Sequence, residues 1–200
     1  MGGTTWVMYN NCVAQLLQTR HLFRVEEYEM MGDIFDEDAR VELIEGEIVD
    51  MVHIGPRHQE YVDRLTRLCL AHWDNSASVR VQGPIQLGEF SEVQPDIALL
   101  RKKLGGYAET HPGPSDVLLV IEVSDTTLAR DLEKSNLYAR SGIEHCWILD
   151  ANEQELLIMS NPTPNGYADQ RRITANENPS DPIEPGKSLD ISSLFDPSIQ

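Results

Sequence analysis

The run Val117–Val123, VLLVIEV, limits the fold more than any other stretch of the chain. A strand with one face in water alternates apolar and polar side chains. A run apolar at nearly every position needs cover on both faces. It therefore predicts an inner strand of an α/β (α+β) protein, with a central sheet flanked by helices. Glu122 stands inside this run. A carboxylate there must find a cation or a dense set of hydrogen bonds, because a bare ion in an apolar setting costs several kcal/mol or takes up a proton.

The rest of the chain supplies the flanking pieces. Arg24–Met31 suits a short helix closed by Gly32, and Val41–Val52 alternates around Gly46 as a hairpin or bent strand would. Tyr61, Val62, Leu65, Leu68, Cys69 and Trp73 form an i, i+3, i+4 stripe, predicting an amphipathic helix over Arg57–Trp73. Strands are expected over Ser78–Leu87, around Gly83-Pro84, and over Val93–Leu100, with Asp96 mid-strand. A loop follows over Arg101–Asp116, then a helix over Leu128–Arg140 and strands over His145–Asp150 and Glu155–Ser160. Residues 1–22 read as an N-terminal extension. One domain is expected over 23–200, with its core at 23–160 and a proline-rich segment at 161–200 that is mostly loop with a strand or two.

Acidic residues number 33 against 16 basic ones, a formal net charge of −17. Coating a nucleic acid through bulk electrostatics is thereby disfavoured, whereas a local site that carries its own metal ions is not. Cys12, Cys69 and Cys146 are odd in number and far apart, so the expectation is a reduced, cytoplasmic protein without a disulfide framework. No apolar run approaches the roughly 20 residues that span a bilayer, and no secretory signal is evident. No G-x-S-x-G, G-x-G-x-x-G or H-E-x-x-H occurs. Gly186-Lys187-Ser188 imitates the end of a phosphate loop but lacks its first glycine.

The informative constellation is Glu42, Asp96 and Glu122. If the strands bearing Asp96 and Glu122 are neighbours, both carboxylates can face one point, and hard oxygen ligands suit magnesium or manganese. Asp131, Lys134 and Tyr138 share one helix face at i, i+3, i+7. Each residue also has a plainer reading. Asp96 after Pro95 could be a turn or capping residue, Glu122 half of a buried ion pair with Arg130 or Lys134, and Asp131–Lys134 a solvated surface pair. His58 could be a first-turn polar residue. Cys69, His72 and His53 offer thin grounds for zinc. Arg57, Arg64 and Arg67 on one helix, and Arg101-Lys102-Lys103 after the aspartate strand, are the basic groups available to phosphate.

ELIEGEIV, a helix bearing His58, QPDIALL, LLVIEVS, a helix with Asp131, Lys134 and Tyr138, and GIEHCWILD follow one another in order. In that order and company they resemble the Uma-type putative restriction endonuclease family of the PD-(D/E)XK nuclease superfamily. The resemblance covers about Phe23 to Asp150, and weakly SLDISSLF. It implies a restriction-endonuclease-like core and a magnesium- or manganese-dependent endonuclease acting on DNA phosphodiesters. Asp96 would be the motif aspartate, Glu122 the second metal-binding acid and Glu42 the acid that completes the metal site. The superfamily pattern wants lysine two residues after the second acid, where this chain has Ser124; Lys134 on the following helix is the family's substitute. His58, Arg101, Lys102 and Tyr138 stand as substrate-side candidates. DNA through local contact is the implied partner, and a homodimer is expected of nucleases that cut two strands. The competing expectation is a catalytically weak or inactive nuclease-fold module for protein interaction or homodimerisation, favoured by Ser124 and the acidic surface.

Overall fold

The computed structural model describes residues 20–32, 34–35 and 39–196. The expected N-terminal extension therefore lies outside the described residues as far as residue 19. α1 (Val25–Met30) begins where the Glu27 carboxylate accepts the Arg24 backbone N–H at 2.9 Å. β1 (Val41–Ile44) and β2 (Glu47–Asp50) form the expected hairpin, with Ile44 opposite Glu47. Its two-residue turn, Glu45-Gly46, has φ of +49° and +84°, the conformation such loops demand and the reason for glycine there. α2 (Pro56–Trp73) starts on a proline, whose missing N–H is no loss in the first helical turn.

Two expected strands are each broken in the structure. Ser78–Leu87 divides into β3 (Ala77–Val81) and β4 (Ile85–Gln86), separated by Gln82 at φ +46° and Gly83-Pro84. Val93–Leu100 divides into β5 (Glu92–Val93) and β6 (Ile97–Arg101). Pro95 has no N–H to give a ladder, so the chain leaves one sheet at Gln94 and enters another at Ile97. Asp96 is thus at the crossing, not in mid-strand. β7 (Val117–Ser124), α3 (Leu128–Arg140), β8 (His145–Asp150) and β9 (Glu155–Thr163) follow. β10 (Gly166–Thr174) is a full partner of β9, and α4 (Ser192–Phe195) comes after the proline-bearing loop.

A small sheet has the order β2-β1-β5-β4 and a large one β10-β9-β8-β7-β6-β3. Among the described residues only β7 and β8 pair in parallel, joined by α3 as the crossover helix. Alternation along the inner strands sorts side chains to two cores. Ile97, Leu99, Leu119, Ile121, Val123, Trp147 and Leu149 pack with Leu65, Cys69 and Trp73 of α2 and with Leu194 of α4. Ala98, Leu100, Val120, Cys146 and Ile148 pack with Leu137 and Tyr138 of α3 and with Ile85 and Val93 of the small sheet. Glu122 shares the face of Val120, so the pleat aims it at α3. Among the described residues no helix is long and apolar enough to cross a membrane.

Candidate active site

The antiparallel register of β6 and β7 places Ile97 opposite Ile121. Carried one step further, it brings Asp96 opposite Glu122, and the contacts follow. The Asp96 backbone N–H donates to Glu122 Oε2 at 3.1 Å, and the Val123 N–H donates to Asp96 Oδ2 at 2.8 Å. His58, in the first turn of α2, sets Nε2 at 3.1 Å from the same Asp96 oxygen. Burial works against a charged His58, but the hydrogen bond and charge of Asp96, together with the charges of Asp131 and Glu122, outweigh it and raise its pKa.

From the other side α3 sends Lys134 and Tyr138. The Lys134 ammonium, only 8% exposed, lies 2.9 Å from Glu42 Oε1 and 3.1 Å from Glu122 Oε1. Burial alone would discharge it; Glu122 and Glu42 more than reverse that and push its pKa up. The Tyr138 hydroxyl donates to Glu122 Oε1 at 2.5 Å. Burial drives the Glu122 pKa up to about 7, with Lys134 opposing and Asp96 and Asp131 adding to the rise. Glu42 comes from β1 and is fixed from β5, since the Gln94 backbone N–H donates to its Oε1 at 2.7 Å. The site thus joins both sheets and two helices.

A cavity of about 210 Å³ lies beside Tyr138, with a wall that includes Glu42, Gln94, Asp96, Glu122, Asp131 and Lys134 but not Tyr138 itself. Arg40, His58 and Arg130 line it as well. The Arg130 guanidinium is 4.0 Å from Glu42 Oε2 and donates to the Asp50 carbonyl at 2.7 Å. Asp131 accepts from the Thr127 hydroxyl at 2.6 Å, and burial raises its pKa. Arg40 has no sequence signal beyond adjacency to β1, Gln94 is marked only as the first residue of QPDIALL, and Arg130 only as a candidate ion-pair partner of Glu122.

The plain reading of Glu122 as half of a buried ion pair with Lys134 is present in the geometry, and Lys134 also reaches across to Glu42. Lys134 stands between these two acids, so Glu42 faces the Asp96–Glu122 pair across an ammonium and not in an open three-carboxylate cage. The donor set still suits a hard divalent cation: carboxylates from Asp96 and Glu122 joined at one strand end, with Asp131 and Glu42 on the cavity wall.

Three of the substrate-side expectations need correction. Arg101 is at the far end of β6 from Asp96, about 16 Å along the strand at roughly 3.3 Å per residue, and its Nε donates to the Ser115 carbonyl at 3.0 Å. Lys102 binds the Asp74 carbonyl. Adjacency in sequence to the aspartate strand put both at its wrong end. Tyr138 is fully buried with its hydroxyl on Glu122, so it positions that acid and faces no substrate. Arg57 is engaged with Asp125 at 3.0 Å and Arg64 with Glu60 at 2.7 Å. The zinc candidates separate too: burial pushes the Cys69 thiol up to about 12, and His72 Nε2 sits 2.7 Å from Asp181.

The protein is similar in structure to a putative nuclease belonging to DUF820 from Anabaena variabilis ATCC 29413. The match has a TM-score of 0.64 at 15% identity, over 86% of this chain and 97% of that one. At that identity the likeness establishes the fold. A second similar structure, the type IIG restriction endonuclease BpuSI, aligns with a TM-score of 0.37 at 15% identity over 60% of this chain and 14% of the other, too slight a likeness to argue from. No curated protein matches. The sequence model of one family, Uma2, described as a putative restriction endonuclease, matches residues 25–192. With that match spanning most of the chain, the protein belongs to the Uma2 family.

Proposed function

We propose that the protein is a metal-dependent endonuclease that hydrolyses DNA phosphodiester bonds at the Asp96–Glu122–Lys134 cavity. The observation that carries this reading is the position of Lys134: it arrives from α3 at 3.1 Å from Glu122, beside the strand end where Ser124 leaves the usual lysine missing. A divalent cation of the magnesium class, held by Asp96 and Glu122 with Glu42 on the opposite wall, would polarise the scissile phosphate and lower the pKa of the attacking water. The chain's own groups do the rest. Glu122, whose pKa is raised by burial against the pull of Lys134, would hold the cation as a carboxylate. Val123 N–H and His58 fix the Asp96 carboxylate, and Tyr138 fixes that of Glu122. Glu42 and the Gln94 backbone hold Lys134 in place, where its charge offsets charge developing on the phosphoryl oxygens. Arg40 and Arg130 on the cavity wall replace Arg101 and Lys102 as the phosphate contacts, a local positive element in a chain of net charge −17. Cutting both strands would call for a second copy of the chain.

The test is calorimetric titration of manganese into wild type and Asp96→Ala, then plasmid nicking with the same samples. Binding and nicking by the wild type, both lost in the variant, support the nuclease. Absence of binding in either protein refutes it and leaves the acidic surface as a protein-interaction module.

A further inference from the structure

A second group of metal-binding side chains lies outside the cavity just described. Glu29 on α1, Glu92 on β5 and His111 in the loop between β6 and β7 each offer a ligand atom, and these atoms lie within 4.8 Å of one another. They meet because the fold gathers their elements independently of any ion. The Val25 N–H donates to the Glu89 carbonyl at 2.9 Å, hanging α1 on the β4–β5 turn. The Gln86 N–H donates to the Pro112 carbonyl at 3.0 Å, tying the loop bearing His111 to β4. Gln86 in turn pairs with Glu92 in the ladder.

Glu92 is the residue that demands an explanation. It is 8% exposed, and its Oε2 finds no hydrogen-bond partner among the described residues. An orphaned carboxylate oxygen is costly to bury, and the nearby Glu29 adds repulsion; burial and then Glu29 raise the Glu92 pKa against the pull of His111. Tyr28, Glu29, Arg40, Glu92 and Gln94 line one cavity, so Glu92 and Glu29 border a common space.

We propose that Glu29, Glu92 and His111 form a second cation site that takes a divalent transition ion of the zinc class. An imidazole nitrogen with two carboxylate oxygens is a donor set for zinc, whereas magnesium favours oxygen alone and keeps its water. Glu29 and His111 are exposed and free to close on the ion, while buried Glu92 supplies the fixed ligand. Two carboxylates neutralise the dication, and the remaining coordination position is left to water. The bound ion ties α1 and the long loop to β5, two residues before the Gln94 N–H that holds Glu42.

The experiment titrates zinc alone into Asp96→Ala, which keeps the first cavity out of the reading, and into Asp96→Ala/His111→Ala. Exposed His111 can be removed without disturbing the metal-free fold, which circular dichroism checks; Asp96→Ala/Glu29→Gln serves as the second variant. The expected result is one zinc per chain in Asp96→Ala, a melting temperature raised by about 5–10 °C at a hundredfold excess over Kd, and affinity lowered at least tenfold by His111→Ala and by Glu29→Gln. Cobalt in place of zinc should show visible d–d bands in Asp96→Ala that His111→Ala removes. Zinc affinity unchanged by His111→Ala, or no zinc bound by Asp96→Ala, overturns the proposal. Loss of manganese binding by Asp96→Ala bears only on the nuclease reading, so the two can fail separately.

Discussion

Replacing Lys134 by methionine keeps an unbranched side chain, one atom shorter, and deletes its charge. In the wild type that charge touches Glu42 at 2.9 Å and Glu122 at 3.1 Å. At an effective dielectric of about 20, each contact has a gross Coulomb energy of about 5–6 kcal/mol. The net loss is smaller, because the variant escapes part of it by protonating Glu122, whose pKa already stands near 7 beside the lysine. At pH 8 the wild type has both ion pairs and the variant must carry or neutralise two buried acids; the expected loss is about 3–5 kcal/mol. At pH 5.5 Glu122 is protonated in both proteins, only the Glu42 pair is lost, and the cost should fall to about half. Urea unfolding of the metal-free proteins at the two pH values measures this. The same substitution should abolish nicking while manganese binding is retained or tightened, since a competing cation has gone. Equal destabilisation at both pH values, or a loss under about 1 kcal/mol at pH 8, would refute the account of Lys134 as the clamp between two buried acids.

Other perturbations probe separate parts of the structure. Glu122→Gln should eliminate the thermal shift produced by manganese, and a full shift in the variant would sink the site. Because the Glu122 pKa is raised from 4.5 to about 7, its contribution to metal-free stability is fully present below 4.5 and lost as pH rises through 7, a slope that Glu122→Gln should remove from a pH series of urea melts. Trp73 Nε1 donates to Asp181 at 3.0 Å while the buried Trp147 Nε1 has no partner among the described residues, so Trp73→Phe should cost about 1–3 kcal/mol more than Trp147→Phe; equal costs by denaturant titration would contradict this. Gly46→Ala would put its Cβ 2.6 Å from the Leu22 Cβ at a φ of +84°, and should cost about 1–3 kcal/mol; an unchanged midpoint would show that the turn relaxes freely.

Much of this architecture was legible where the periodicity was strong. The α2 stripe, the apolar β7 run and the helix Leu128–Arg140 match the structure closely, because each buries one face or both against a core. Burial inside β7 also singled out Glu122 as an acid needing a partner, and i, i+3, i+7 spacing put Asp131, Lys134 and Tyr138 together. What failed was anything set by tertiary crossing. Val93–Leu100 alternates like one strand, and only Pro95 hinted that its halves serve different sheets. The strand or two expected over 161–200 includes β10, but its polar middle leaves its bounds unmarked: Ala168 to Arg172 face water, so no apolar alternation marks them. Arg101 and Lys102 were misplaced because closeness in sequence says nothing about which end of a strand a side chain occupies. The Glu29–Glu92–His111 group spans α1, β5 and a loop, and no local pattern connects them.

The passage from β5 through Asp96 into β6 has a consequence for how the molecule matures. The large sheet supplies Glu122, with Lys134 brought by its own crossover helix, and Glu42 comes from the small sheet, while Gln94 and Asp96 lie in the link between the two. A chain that has formed either sheet without docking the other has a lysine with half its counter-charge and no closed cavity. The pairing Leu43 with Glu92 joins residues far apart in sequence, the kind of contact that forms late because its loop entropy must be met first. The Glu42–Lys134–Glu122 cluster, and the cavity it lines, are therefore complete only when the two sheets are docked.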